Sequence, residues 1–183
     1  STDVGEMAQM EGYENYFELK DDPENIVRTL KEDPELVQGF IEEGTSNLQL
    51  IENGLLALEE DPGNLKIIDE IFRPFHTVKG VAGFLNLTEI NSFCHGFESV
   101  LDDARKGSLP VTDFMTDSVF DAIDALRAMV DAIDHSRQSG TYIAHGVDLP
   151  HFNKVLNILR LNLVDQQDGS DIKAPEAVEE TAV

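Results

Sequence analysis

Apolar residues recur at steps of three and four along four long segments of the chain, the spacing that gathers them on one face of an α-helix. In the first, Val37, Ile41, Gly44, Leu48, Ile51, Leu55 and Leu58 form the stripe. Asp33 reads as its N-cap, Pro34 as its first helical residue and EEDPGN as its stop. A second stripe follows Gly63 and carries Ile67, Ile71, Phe75, Val78, Ala82 and Leu85. In the third, Thr88 reads as an N-cap ahead of Ile90, Phe93, Phe97, Val100 and Ala104, and Lys106-Gly107 is an ordinary C-terminal signature. The fourth opens near Thr112 and Asp113, carries Val119, Ile123, Leu126, Val130 and Ile133, and ends at SRQSG. No segment of comparable length alternates as a strand would. With short loops between them, these stripes predict an all-α fold, an antiparallel four-helix bundle.

Two more helical pieces flank the bundle. DLPHFNKVLNILRLNLV, residues 148–164, offers Phe152, Val155, Leu156, Leu159 and Leu163 as the packing face of a fifth helix. DDPENIVRTLKED reads as a short N-terminal helix capped by Asp22, with Pro23 at its first position. From Asp165 the chain is acidic and poor in aromatics, the composition of a disordered linker. The domain reading is thus an N-terminal extension over 1–33, a bundle over 34–140, a loop and packing helix over 141–164, and a linker over 165–183.

Charge narrows the functional classes. With 36 acidic against 13 basic residues and a net charge of -23, the chain is a poor match for nucleic acid or an anionic membrane, which need clustered Lys and Arg. No apolar run approaches the roughly 18 residues of a membrane span, and the N-terminus STDVGEMAQM lacks a basic region followed by an apolar one. The single Cys94 requires no oxidising compartment and reads as a small buried hydrophobe. Together these features predict a cytoplasmic domain with protein partners.

The stretch FHTVKGVAGF, residues 75–84, is where function concentrates. At about 100° per residue, His76 lies away from the apolar stripe, with Gly80 and Gly83 one and two turns further along its own side. A mid-helix Gly is about 1 kcal/mol less favourable than Ala, and core packing gives no reason for two on an exposed face. Removing side chains there lets a macromolecule approach the ring. Lys79 sits at the edge of the same face and can meet an anion. An exposed imidazole beside a cation and a bare surface suits acceptance of a phosphoryl group. On the next helix, CHGFESV places Glu98 on the flank, with His95 one turn earlier on the polar side. If the two helices are antiparallel neighbours, Glu98 can accept from one ring nitrogen of His76 and leave the other as the nucleophile.

The run HTVKGVAGFLNL, preceded by an acidic, leucine-rich helix and followed by HGFESVLDDARKG, closely resembles the histidine-phosphotransfer (HPt) domain of CheA-type chemotaxis histidine kinases. The resemblance covers about residues 34–140 and extends to a fifth helix at 148–164. It implies that His76 is the phosphorylated residue, that Lys79 interacts with the phosphoryl group, and that Glu98 and His95 form the hydrogen-bonding surround of the imidazole. Gly80 and Gly83 would form the docking face. It also implies a two-step traffic: a separate kinase domain transfers the phosphoryl group from ATP, and an aspartate on a CheY- or CheB-like receiver takes it. The domain would be carrier and substrate, not catalytic alone, binding no cofactor itself; ATP and Mg²⁺ would sit on its partners. No P-loop and no glycine-rich ATP lid is visible. Val81 and Asn86 depart from the family pattern, where small residues and Gly are common. Residues 1–33 exceed the usual start, and the tail resembles the linker that follows the domain in full-length kinases, which favours a kinase fragment over a freestanding carrier.

Two other classes compete. A metal- or haem-binding bundle could use His76 and His95, but di-iron bundles need Glu-x-x-His pairs on two helices, and the nearest order here, His95 to Glu98, is reversed and isolated. His135, His145 and His151 have no regular ligand spacing and do not suggest a metal site. An acidic helical adaptor without phosphotransfer would leave the exposed glycines without a reason.

Overall fold

A computed structural model of the chain describes residue 9 and residues 11–168, with side chains through residue 161. Six helices follow in order: α1 (Pro23–Glu32), α2 (Pro34–Glu60), α3 (Leu65–Phe84), α4 (Thr88–Arg105), α5 (Asp113–Ser139) and α6 (Leu149–Asp168). No strand occurs among the described residues. The all-α expectation holds. α2 packs between α3 and α5, and α3 between α2 and α4. Pairings along the α3–α4 seam run in opposite senses, Asp69 with Arg105, His76 with Glu98 and the Lys79 carbonyl with Asn91, so these helices are antiparallel. α6 lies against both α4 and α5, which touch each other little. Its helix reaches Asp168, past the expected stop at 164; the rest of the predicted linker, and the side chain of Leu163, lie outside the described residues.

The core follows the stripes. Leu48, Ile51, Leu55 and Leu58 of α2, Phe75 and Ala82 of α3, Phe93 and Phe97 of α4, and Val119 and Leu126 of α5 are essentially inaccessible. Two positions are off by a residue: Phe40 and Ile68 are buried, and Ile41 and Ile67 only partly so. Ile68, Ile71, Phe75, Val78 and Ala82 keep the alternating three-four step that one face requires, whereas starting at Ile67 does not. Pro74 lies inside α3 and is buried there. Having no N–H, it leaves the Glu70 carbonyl without its intrahelical donor.

The caps are mixed. Asp22 accepts from the Glu24 and Asn25 amides, and Thr112 from the Met115 amide, as expected. Asp33 occupies the cap position of α2 but makes no side-chain cap bond. It also closes α1, donating its amide to the Thr29 carbonyl, and one residue shared by two helix ends cannot take the ideal geometry of both. Thr88 is the first helical residue of α4, not its N-cap. The connection from α3 is only Leu85, Asn86 and Leu87, and it is already a helix-closing turn: Asn86 has φ 56° and the Leu87 amide donates to the Ala82 carbonyl. Asn tolerates this left-handed conformation best after Gly, which accounts for Asn86 where the family commonly has Gly.

The α4 terminus is capped from a distance. The Glu89 amide donates to Asp21 Oδ1 and the Asp21 amide to Glu89 Oε2, both at 2.9 Å. It is the reciprocal arrangement of a capping box, assembled between two distant parts of the chain. Residues 13–22 form a non-helical strap, turning at Tyr16 and Phe17, that the sequence did not reveal. The Glu14 amide donates to Asn157 Oδ1 (2.9 Å) and the Tyr16 amide to Asn153 Oδ1 (2.8 Å), while Asn157 Nδ2 donates to the Glu14 carbonyl (2.8 Å). Phe17 is buried against Phe93. A Cβ at Gly96 of α4 would stand 2.6 Å from Leu156 Cδ1 and 3.4 Å from Tyr16 Cδ1, so glycine there lets strap, α4 and α6 meet. The N-terminal helix, whose partner the sequence left unread, packs Ile26 and Leu30 into the core against α2 and α5.

Burial pushes the Asp21 carboxyl up to about 6, the Glu89 amide opposing and the Glu89 carboxylate adding to the rise. Burial would also raise Glu89, but the Asp21 hydrogen bonds and His145 together hold it below the ordinary range. A raised native value means that protonated Asp21 stabilises the fold fully below about pH 3.8, and that this contribution is lost as the pH rises through about 6. Glu89 runs the other way: its contribution is present above about pH 4.5 and is lost as the pH falls through its depressed value. Thermal unfolding of the wild type should therefore lose ground to Asp21→Asn as the pH rises from about 3.8 to about 6, because the amide keeps the acceptor without the charge. Parallel curves across that window would show that the Asp21 charge does not couple to folding.

Candidate functional site

His76 projects from the middle of α3 with its side chain 63% exposed. Its Nδ1 lies 2.8 Å from Glu98 Oε1 on α4. Glu98 is not the flank carboxylate the sequence suggested: its side chain is only 12% exposed. Its other oxygen, Oε2, is out of contact with water, has no hydrogen bond of good angle, and is compensated by the Lys79 ammonium 2.7 Å away. Burial pushes the Glu98 carboxyl up, but Lys79 and His76 outweigh it and hold the group below the ordinary carboxylate range. Glu98 is therefore ionised near neutrality and can only accept. The proton of neutral His76 is fixed on Nδ1, and Nε2 keeps its lone pair.

Phe72, one turn before His76, lies nearly parallel to the imidazole, with 15° between planes and 6.1 Å between ring centres. The Arg105 guanidinium rests 4.1 Å from the centre of the Phe72 ring. Neither residue was singled out from the sequence for this site, although Phe72 stands at the i−4 position from His76, where a neighbour on the same helix face belongs. His95 lies beside the site, exposed, and shares a shallow hollow with Phe72, Glu98, Ser99, Asp102, Arg105 and Lys106. It makes no side-chain hydrogen bond among the described residues, so the expected bond within the imidazole surround is not formed. Glu98 already has both oxygens engaged, and His95 projects one turn earlier on the solvent side of α4.

The two glycines differ. A Cβ at Gly80 would meet nothing within 4 Å, which leaves open space one turn from the ring. A Cβ at Gly83 would stand 2.9 Å from Asn91 Nδ2, whose amide donates to the Lys79 carbonyl at 2.9 Å. The expected clearance applies to Gly80. Gly83 lets α4 approach, so its explanation is packing against α4. Cys94 is buried and its thiol is pushed up by that burial, as a buried hydrophobe should be.

One histidine dismissed from the sequence does converge with carboxylates. His145 Nε2, Asp21 and Glu89 have donor atoms within 4.8 Å of one another. The Val147 amide donates to His145 Nδ1 (2.9 Å), which places the proton on Nε2 facing Glu89 Oε1 (3.1 Å). The nitrogen that would face a metal is thus the protonated one, and the cluster serves as a latch between strap, α4 and the loop before α6.

The result is a helical bundle presenting one exposed imidazole, tethered through Nδ1 by a buried carboxylate and open along its helix at Gly80. Comparison with known proteins agrees with that class. The Hpt domain family model matches residues 35–136, and the chain belongs to this family. It is 39% identical over 97 residues to chemotaxis protein CheA of Halobacterium salinarum and 37% identical over 108 residues to that of Listeria monocytogenes, covering 53% and 59% of this chain. It spans only 14% and 18% of those relatives' lengths. Among solved structures, the CheA phosphotransferase domain from Thermotoga maritima matches 56% of this chain and 98% of its own, at 34% identity and a TM-score of 0.55. A phosphorylated P1 domain of CheA3 in complex with CheY6 from R. sphaeroides matches 72% of this chain and 97% of its own, with a TM-score of 0.57; at 22% identity it supports the fold alone.

The glycine geometry predicts opposite outcomes for two similar changes. Gly80→Ala should be neutral or stabilising by up to about 1 kcal/mol, because it removes a helix-interior glycine without contact. Gly83→Ala should destabilise by about 1–2 kcal/mol, because Asn91 must move and give up its bond to α3. Urea denaturation of the two variants checks this; equal effects would contradict it.

Proposed function

We propose that this domain is a histidine phosphocarrier of chemotaxis-type signalling. His76 Nε2 takes a phosphoryl group from ATP held by a separate kinase domain and passes it to an aspartate of a CheY- or CheB-like receiver. The observation that supports this most strongly is the 2.8 Å contact between Nδ1 of an exposed His76 and an ionised, buried Glu98. As the Nε2–P bond forms, the bond from the γ-phosphorus to the bridging oxygen breaks and ADP departs. The ring becomes cationic while Nδ1 keeps its proton, and Glu98 offsets that charge. In the second step a receiver carboxylate oxygen attacks phosphorus, the N–P bond breaks, and its electron pair returns to Nε2. Lys79, held beside Glu98, is one helical turn from His76 and within reach of an incoming anion. The nucleotide and Mg²⁺ belong to the partners, since phosphoryl transfer places the metal with the triphosphate and with the acidic pocket of the receiver.

Gly80 keeps the approach to Nε2 open for both partners, which must compete for it. Binding to each is then transient. The receiver as partner rests on membership of the Hpt family; in the R. sphaeroides neighbour a P1 domain is in complex with CheY6. A CheB-like receiver rests on the family resemblance. Among the described residues no helix is long and apolar enough to cross a membrane. Dependence on an ATP-bearing donor fits a cytoplasmic setting.

The test is to incubate the chain with ATP, Mg²⁺ and a CheA-type catalytic core and map acid-labile phosphate by mass spectrometry. Phosphate should appear on His76, vanish in His76→Gln and chase to a receiver aspartate. Gly80→Leu should keep the fold yet slow transfer about tenfold or more, because a branched side chain now occupies the approach. Absence of label with several active cores would instead support an acidic adaptor role.

A further inference from the structure

We infer that Phe72 and Arg105 act together as positioning residues for the phosphoryl-accepting imidazole; the inference rests on the carrier reading above. A single hydrogen bond at Nδ1 holds one atom of the His76 ring and leaves the tilt of its plane free. An exposed ring needs a second constraint if Nε2 is to point in a constant direction. Phe72 supplies it. Its ring lies 15° from parallel to the imidazole with centres 6.1 Å apart, an offset stack in the range where aromatic pairs attract.

Phe72 is itself held. Arg105 Cζ stands 4.1 Å from its ring centre, a cation–π distance. The guanidinium cannot drift, because Nη1 donates to Asp69 Oδ1 of α3 at 3.0 Å and Nη2 donates to Asp102 of α4. A guanidinium can meet two carboxylates through its edge while presenting its flat face to an aromatic ring, and an ammonium cannot. A tie between α3 and α4 would require only the Asp69 contact. The placement against Phe72 adds a chain of fixed groups, from two aspartates through Arg105 and Phe72 to His76, that ends at the reacting ring. Arg105 touches neither His76 nor any group in transfer, so its effect must pass through Phe72.

The experiment uses the full chain as phosphoryl acceptor with a CheA-type catalytic core, ATP and Mg²⁺, comparing Phe72→Leu, Phe72→Tyr, Arg105→Lys and the double variant Phe72→Leu/Arg105→Lys. Phe72→Leu keeps apolar bulk but removes the planar ring. It should lower kcat about five- to tenfold with KM for the acceptor nearly unchanged, short of the hundredfold a full misplacement can produce. Phe72→Tyr should restore the rate to within about twofold, and Arg105→Lys should give a smaller loss. The double variant should be no slower than Phe72→Leu, since both act through one ring. A raised KM at constant kcat would make Phe72 a docking contact and overturn the inference, as would an unchanged Phe72→Leu or failure of Phe72→Tyr to restore the rate. Carbon-13 relaxation at the His76 ring gives a readout independent of any kinase. Ring order should fall in Phe72→Leu and Arg105→Lys and persist in Phe72→Tyr, and equal order in all of them would overturn the inference even if the wild type accepted no phosphate. An unlabelled wild type with these relaxation differences intact would count against the carrier reading alone.

Discussion

The buried carboxylate of Glu98 is the interaction on which the site depends. Removing an ionised carboxylate from water carries a penalty of several kcal/mol unless partners replace the solvent. Here the partners are two residues of α3 three positions apart, His76 on Oε1 and Lys79 on Oε2. That spacing places both on one side of the helix, so one carboxylate can sit between them only if α3 and α4 keep a single register. Sliding α4 by a turn would leave Glu98 buried and unpaired. Asp69–Arg105 and Asn91–Lys79 carbonyl continue the same seam to either side. The orientation of one exposed ring is thereby written into the contact between two whole helices.

The same pairing shapes the local field. A chain of net charge -23 should repel a triphosphate. Around His76, however, Arg73 and Arg105 meet Asp69, Arg105 and Lys106 meet Asp102, and Lys79 meets Glu98. The neighbourhood of the ring is close to electrically balanced. The acidity of the chain lies elsewhere, so solubility and access for an anion do not conflict.

How much of this was legible depends on the reach of each signal. Periodicity and punctuation gave the helices because both are local: Pro34, Thr112, Gly107 and Gly140 act within a turn of where they stand. His76, Lys79 and Gly80 were legible for the same reason, lying within little more than one turn of a single helix face. Glu98 was found by its type but placed on a flank, since one residue's rotation about α4 is uncertain by more than the width of its polar face. Gly83 reads like Gly80 in sequence and differs only through Asn91, which approaches from another helix. The strap was invisible altogether. It has no period, and every partner that holds it lies 68 or more residues away, at Glu89, Asn153 and Asn157.

That strap carries a geometric match of its own. Glu14 and Tyr16 are two residues apart on non-helical backbone, a span of at most about 7 Å. Asn157 and Asn153 are four apart on a helix, a rise of about 6 Å. The helical repeat falls within that span, so a pair of side-chain amides one turn apart can do for a non-helical segment what a neighbouring strand does in a sheet. A sheet edge is uniform along its length and lets a strand slip. Two asparagines are not: moving the segment by one residue would unpair both amides and take Phe17 out of its place in the core. An all-helical domain thus holds a non-helical segment in a single alignment with no strand to pair it.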